Sequence, residues 1–282
     1  MNLKMIKGDI RDVSLLKKEI PGHNIVIHLA CISNDPSFEL NPDLGKSINL
    51  DAFEPIVKIS KENGVERFIY ASSSSVYGVK EELGVHEGMS LEPLTDYSRF
   101  KAECEKILAP YQSENFTTVT VRPATVCGYS TRQRLDVVVN ILTNLAYHKR
   151  EISVFGGKQY RPNIHIKDMV DSYLLLIEAP KEKIAGEIFN VGLSSANLSK
   201  QELLEKIQSH VKDFAVSYND FYEDPDKRDY IVSNAKIEAT GWKPEWDLDK
   251  GIKQLIMGYQ MVVPKMGSEF RNGFPLGYAQ NF

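Results

Sequence analysis

Cysteine is scarce in this chain of 282 residues, where only Cys31, Cys104 and Cys127 occur. They are odd in number, widely spaced and without metal-ligand spacing, so neither a disulfide framework nor a metal site is expected, and a reducing cytoplasm suits them. Long apolar runs are missing too. No stretch approaches the roughly 18 apolar residues of a membrane span, and the opening residues lack the apolar centre of a signal peptide. Basic charge is not in surplus: Lys+Arg 34 against Asp+Glu 38 gives a formal net charge of −4. That balance argues against a nucleic-acid or membrane-surface binder and leaves any phosphate to locally placed arginines. Internal repeats and low-complexity segments are absent. What is present, 42% apolar and 26% charged residues, is ordinary for a globular chain long enough to bury one large core or two modest ones.

Short apolar stretches alternate with helical patterns. Residues 3–6 read as a strand delivering the loop Gly8-Asp9-Ile10-Arg11-Asp12. Residues 24–30 (NIVIHLA) form a continuous apolar run, the mark of a strand buried on both faces of a parallel sheet. A helix over 52–63, stopped by Gly64, precedes a strand at 67–71, and a β-branched strand at 117–121 runs into Arg122-Pro123. This alternation implies βαβ units with right-handed crossovers and helices on both faces of the sheet. Ligands in such sheets bind beyond the carboxyl ends of the strands. Here those ends are polar or small-residue loops at Asp9, 30–34, 72–75 and 124–128. After Tyr129 the rhythm changes. A basic loop with Arg132 and Arg134 leads into a helix over 135–148 and a short strand at 152–155. Helices at 168–178, 200–210 and 248–261 then surround a strand at 187–191, and the tail from Val262 shows no period.

The stretch Tyr97-Ser98-Arg99-Phe100-Lys101 organises the rest. With Thr95 or Asp96 as cap, Phe100, Cys104, Ile107, Leu108 and Tyr111 share a stripe, and Tyr97 and Lys101 stack one turn apart beside it. A Lys ammonium near a phenol favours the phenolate and lowers its pKa from about 10, fitting the pair for general-base work. Alone the spacing is a weak signal, because a surface helix with an ordinary tyrosine shows it as well.

The order of motifs carries more. It runs from Gly8-Asp9-Ile10 through His28-Leu29-Ala30, Ser72-Ser73-Ser74-Ser75-Val76-Tyr77-Gly78 and Tyr97-x-x-x-Lys101 to Arg122-Pro123-Ala124-Thr125, Arg161-x-x-x-His165 and Gly241-Trp242. In that order the chain resembles the extended short-chain dehydrogenase/reductase family, specifically its NAD-dependent nucleotide-sugar epimerases and dehydratases. The C-terminal run from Asn190 and the segment ending at Asn234 are most similar to bacterial enzymes that oxidise or epimerise GDP-linked heptoses for surface polysaccharides. The fold this implies is α/β, a Rossmann-like doubly wound parallel sheet with a smaller mixed C-terminal substrate domain. Residues 1–128 with about 163–195 would form the NAD-binding domain, and residues 129–162 and 196–282 would bind the sugar nucleotide.

The resemblance implies oxidation of a sugar hydroxyl at carbon 4. Tyr97 would take the proton, Lys101 would hold the nicotinamide ribose and Ser73 would hydrogen-bond the reacting hydroxyl. Dehydratases of the family usually read Thr-Asp-Glu-Val-Tyr-Gly, the Asp and Glu being the acid and base that eliminate water. Here those positions are Ser74 and Ser75, whose hydroxyls cannot replace a carboxyl pair, so a 4-epimerase or 4-dehydrogenase is expected over a 4,6-dehydratase. Asp9 and Ile10 match the pair that receives adenine, and Leu29, Ala30 and Asn49 match positions lining the cofactor. Ser74 and Thr125 would face the sugar nucleotide, Thr125 standing where many relatives have Asn. Arg161 and Arg228 match the arginines that clamp the substrate diphosphate, a task suited to guanidinium forks. Arg132 and Arg134 could assist or form a solvated basic loop, and His165 reads as a core group.

The family pattern begins with a strand, a Gly-x-x-Gly-x-x-Gly loop and a helix whose N-terminus cradles the cofactor pyrophosphate. The 282 residues contain no such segment, and the usual order would place about 50 to 60 residues before what stands here. On that pattern, the chain from Met1 is expected to hold NAD weakly and to leave apolar strand edges open. An alternative is a non-catalytic sugar-nucleotide-binding or scaffold protein. The resemblance further implies a homodimer, paired through the Tyr97 helix and the helix over 52–63.

Overall fold

The helix before the first strand starts where the sequence supplies a cap. Asp12 Oδ1 accepts from the backbone N–H groups of Ser14 and Leu15, both at 3.0 Å, and fixes the start of α1 (Val13–Glu19). The computed structural model describes residues 3–33, 35–155, 157–219 and 228–261. After α1 come β1 (Ile25–His28), α2 (Asp35–Leu40), α3 (Pro42–Lys46), a wide π-type turn at Ser47–Asp51, α4 (Phe53–Glu62), β2 (Arg67–Ala71) and α5 (Asp96–Leu108). Strands β3 (Thr117–Pro123) and β4 (Thr125–Cys127) lead to α6 (Val138–His148), β5 (Glu151–Phe155), β6 (Tyr160–His165) and α7 (Ile166–Glu178). Next are β7 (Glu187–Val191), β8 (Asn197–Ser199), α8 (Lys200–His210), β9 (Ala215–Asn219), α9 (Ala235–Glu238) and α10 (Leu248–Met261). The tail from Val262 lies outside the described residues.

One sheet has the order β1-β2-β3-β7, and β1, β2 and β3 run parallel, with Ile27 opposite Ile69 and Ile69 opposite Val119. The apolar runs at 24–30, 67–71 and 117–121 therefore supply the parallel strands. However, β1 covers only 25–28 and lies at the edge of the described sheet, with Ile25, Val26 and Ile27 half-buried and Leu29 and Ala30 exposed, so it is not buried on both faces as its composition implies. Residues 3–6, expected as a strand, belong to none. Among the described residues their apolar pattern has no ladder partner, and Leu3 and Met5 are 84% and 88% exposed. Smaller sheets, β4-β6-β8 and β5-β9, complete the strands.

The chain divides into two compact units. The first comprises Met1–Ser72, Thr95–Val121 and Ile177–Ile188; the second comprises Ser73–Leu94, Arg122–Leu176 and Phe189–Phe282. In the first unit, α4 contributes Phe53, Ile56 and Val57 to a core with Phe68, Tyr70, Cys104, Leu108 and Phe116. Each such side chain contributes about 1.5–3 kcal/mol by leaving water. Cys104 and Leu108 are thus used inside the unit, while Ile107 and Tyr111 are only partly covered. In the second unit, α6, α8 and α10 bury Val139, Leu142, Leu204, Ile207, Ile252 and Leu255 against β5.

Candidate functional site

The first unit holds the Tyr–Lys pair. Thr95 caps α5, its Oγ1 accepting from Ser98 N at 3.3 Å, and this sets the helical phase that brings Tyr97 and Lys101 onto one face. Lys101 is 4% exposed, and its Nζ donates to the carbonyl oxygen of Ala71, at the end of β2, at 2.6 Å. From there the ammonium lies 5.9 Å from the Tyr97 ring centroid and 5.1 Å from that of Tyr70. Burial pushes the Tyr70 phenol well above its ordinary pKa, so it stays neutral. Tyr97 is half-buried. One turn beyond Lys101, buried Glu105 accepts a hydrogen bond from Ser72 Oγ. The end of β2 is therefore held at consecutive residues by α5.

The loop after β1 is held from the same helix. Cys104 Sγ donates to the carbonyl of Asn49 at 3.2 Å, and the Asn49 amide bonds Ile32 N and Ile32 O at 2.8 and 2.9 Å. Asn49 is buried and shapes this loop, while Leu29 (56% exposed) and Ala30 stand open beyond β1. Asp9 is exposed and forms a double-pronged pair with Arg11, which holds its carboxyl down at about 2. Ile10 packs its side chain toward the core of the unit.

The second unit holds the serine turn and the arginines. Ser73, with extended backbone, caps a single 3-10 turn, Ser74–Tyr77. The turn is anchored through Tyr77, whose hydroxyl donates to Asn190 Oδ1 at 2.7 Å and accepts from buried Arg122 Nη1 at 2.7 Å. Asn190 in turn donates through its backbone N–H to Glu87 Oε1 at 2.8 Å. Ser74 Oγ meets the hydroxyl of Tyr230 at 3.2 Å, and the Arg161 guanidinium lies 6.0 Å from the Tyr230 ring centroid. Arg228 is half-buried two residues before Tyr230, and Asp229 Oδ1 accepts from Tyr160 N at 2.8 Å. Ser74 and Arg161 thus gather around Tyr230, and Arg228 lies two residues before it in the chain. Thr125 opens β4, half-buried and in register with Asn163 of β6. Arg134 pairs with Asp136 at 2.6 Å, and Arg132 is exposed. His165 is buried, stacked on Trp246 with centroids 4.1 Å apart and bonded to Gln254 Oε1 at 2.8 Å, as a core histidine would be.

Sequence reasoning passed over Glu105, Tyr230 and the Tyr77–Arg122–Asn190 network. Glu105 had a signal: it continues the spacing of Tyr97 and Lys101 by another turn, a carboxylate on the helix face that meets the core. Tyr230 had none, because its partner Ser74 is far away in the chain.

The parallel sheet, with helices between its strands, places the chain in the Rossmann-like α/β class. The particular family follows from comparison: the NAD dependent epimerase/dehydratase family matches residues 1–192, and the chain belongs to it. NAD is the cofactor of that family. The dTDP-D-glucose 4,6-dehydratase of Mus musculus is 29% identical over 271 residues, covering 92% of this chain and 74% of that protein. The UDP-glucose 4-epimerase of Lactobacillus helveticus is 23% identical over 262 residues, covering 86% of this chain and 79% of its own. Among solved structures, the UDP-glucose 4-epimerase of Thermotoga maritima with UDP-glucose has a TM-score of 0.81 at 22% identity, covering 92% of this chain and 85% of that one. DesIV, a dTDP-glucose 4,6-dehydratase from Streptomyces venezuelae with NAD and TYD bound, has a TM-score of 0.80 at 22% identity, covering 92% and 80%. These structural likenesses speak for the fold.

Open Leu29 and Ala30 at the end of β1, and the ordered Lys101 ammonium beside Tyr97, fit the apolar and ribose portions of NAD.

Proposed function

We propose that this chain acts on a nucleoside-diphosphate sugar by oxidation at carbon 4, as a 4-epimerase or 4-dehydrogenase serving surface polysaccharide synthesis in the cytoplasm. The observation that carries the reading is Lys101, fixed by Ala71 O, with its charge beside Tyr97. When bound, NAD supplies the hydride acceptor. Tyr97 takes the proton of the carbon-4 hydroxyl, and the Lys101 cation stabilises negative charge on the phenolic oxygen before it does so. Ser73 holds the reacting oxygen. Asp9, Ile10, Leu29, Ala30 and Asn49 contribute to the cofactor side, and Ser74, Thr125, Arg161 and Arg228 to the sugar nucleotide, with the arginines on its diphosphate.

Although some relatives are 4,6-dehydratases, elimination is not the proposed reaction. Ser74 and Ser75 occupy the positions of the acid and base, and their hydroxyls are engaged with Tyr230 and Ser73. A homodimer through α4 and α5 is proposed from the resemblance. Because Cys104 and Leu108 already lie in the core, its apolar contacts would come from Ile107 and Tyr111. Light scattering at micromolar concentration tests it, a monomer counting against it.

The test of function is a panel of UDP-, dTDP- and GDP-linked hexoses, followed by absorbance of the reduced nicotinamide and by product analysis. Tyr97→Phe should lower turnover by about 10²-fold or more while sugar-nucleotide affinity stays within about twofold. Undiminished turnover in Tyr97→Phe sinks the assignment. A 6-deoxy-4-keto product would make the chain a dehydratase, and binding without turnover would make it a binding protein.

A further inference from the structure

Of the four serines at 72–75, only Ser73 is half-exposed; Ser72, Ser74 and Ser75 are buried. The buried hydroxyls point to different partners. Ser72 Oγ donates to Glu105, and Ser74 Oγ lies at 3.2 Å from the Tyr230 hydroxyl. Ser75 turns back on Ser73: Ser73 Oγ accepts from Ser75 N at 3.2 Å and from Ser75 Oγ at 2.8 Å. A serine hydroxyl has one proton to donate and lone pairs for two acceptances. Both acceptances are filled from within the turn, so the proton is what Ser73 has left to offer a ligand.

We infer that Ser75 is a positioning residue that fixes the direction of the Ser73 hydroxyl, making Ser73 an obligate hydrogen-bond donor to the reacting sugar oxygen. The inference rests on the proposed reaction and deepens it. During oxidation the carbon-4 hydroxyl would become a carbonyl: the oxygen would give its proton to Tyr97, and carbon 4 would give its hydrogen as hydride to NAD when it is bound. The oxygen keeps lone pairs throughout, so a donor at Ser73 serves both ends of the reaction. It serves most while the oxygen carries negative charge. A Ser73 free to accept would compete with Tyr97 for the same proton. The turn is rigid enough to hold this direction, because Tyr77 is fixed at its end by Asn190 and Arg122, each at 2.7 Å.

The experiment compares Ser73→Ala, Ser75→Ala, Ser75→Thr and the Ser73→Ala/Ser75→Ala pair in the full chain, using whichever hexose of the UDP, dTDP and GDP panel is turned over. Ser73→Ala should lower kcat about 100-fold, as loss of a donor to a developing oxyanion does. Ser75→Ala should lower kcat about tenfold with KM unchanged, because the hydroxyl of Ser73 is then free to turn. Ser75→Thr restores the donor and should recover most of the rate. The pair should be no slower than Ser73→Ala alone, since the role inferred for Ser75 is exercised through Ser73. Additive losses in the pair, or a Ser75→Ala enzyme with the parent kcat, overturn the inference while leaving the reaction standing. A silent Ser73→Ala, or no turnover of any panel member by the parent chain, overturns the reading on which it rests.

Discussion

Lys101 Nζ donates to the carbonyl oxygen of Ala71 at 2.6 Å, so the buried cation of α5 is anchored on the last residue of β2. The anchor leaves the ammonium little freedom and holds its charge beside Tyr97. Lys101→Met keeps the length and apolar stem and removes the charge. It should fold, because an apolar side chain of similar volume replaces a buried cation at little cost. Turnover should fall by about 10²-fold or more, and the activity that remains should rise toward higher pH, where a phenol ionises unaided. A pH–rate profile of the variant checks this, and an unchanged profile would remove Lys101 from the chemistry.

His28 gives a prediction for stability. Its ring is enclosed by Phe53, Phe68 and Tyr70, and burial first, then the nearby Lys101 charge, push its pKa down to about 4. In the unfolded chain it titrates near 6.5. Between these values the unfolded state binds the extra proton, so stability rises with pH and is lost as pH falls from about 6.5 toward 4. The full loss is about 3 kcal/mol, of which about 2 kcal/mol has gone by pH 5. His28→Phe keeps an aromatic ring in place and removes the titration. Urea unfolding at pH 7 and pH 5 should show the variant losing less stability than the parent, and equal losses would mean that His28 is solvated.

The parallel sheet was legible because apolar runs of strand length are local signals: RFIYA is buried at its centre as its composition implies, whereas NIVIHLA supplies the edge strand β1, half-buried except at His28. The Tyr97 helix was legible because a capping threonine and a helical stripe are local signals, and Thr95 does cap it. Residues 3–6 misled because an apolar run shows only a capacity to pair, and pairing needs a neighbour. Strands such as β4 and β8, with Cys127 and Leu198, are too short to show a period, and their pairing with β6 is set by tertiary context. Tyr230 against Ser74 joins residues 156 positions apart, a contact no window along the chain contains.

Arg161 and Arg228 should each matter for binding. Arg161 Nη1 is braced by Tyr160 O at 3.0 Å, and its guanidinium sits against the Tyr230 ring, so the fork is held before ligand arrives. Removing either arginine leaves a phosphate charge without its planar partner. Arg161→Ala and Arg228→Ala should each weaken UDP, dTDP or GDP binding by about 2 kcal/mol, roughly 30-fold, as calorimetry reads it. Unchanged affinity in both variants would put the diphosphate elsewhere.

Gly78 ends the turn that carries Ser73 through Tyr77, and two separate constraints require glycine there. Its φ is +74°, which side chains rarely adopt, and a Cβ would run into the backbone carbonyl oxygen of Glu92. That carbonyl cannot retreat freely, because the Glu92 N–H is bonded to Val76 O at 3.0 Å. Gly84 provides the control: its φ is +79°, but a Cβ would meet nothing within 4 Å. Gly84→Ala should therefore cost about 1 kcal/mol, from backbone strain alone. Gly78→Ala adds a collision with backbone and should cost about 3 kcal/mol or more, with a matching fall in thermal midpoint. Because the damage lies in the turn, surviving Gly78→Ala protein should also lose turnover out of proportion to its loss of stability, whereas Gly84→Ala should not. Equal destabilisation by the two substitutions would show that the turn yields to the added methyl, and that Ser73 is held less firmly than its hydrogen bonds imply.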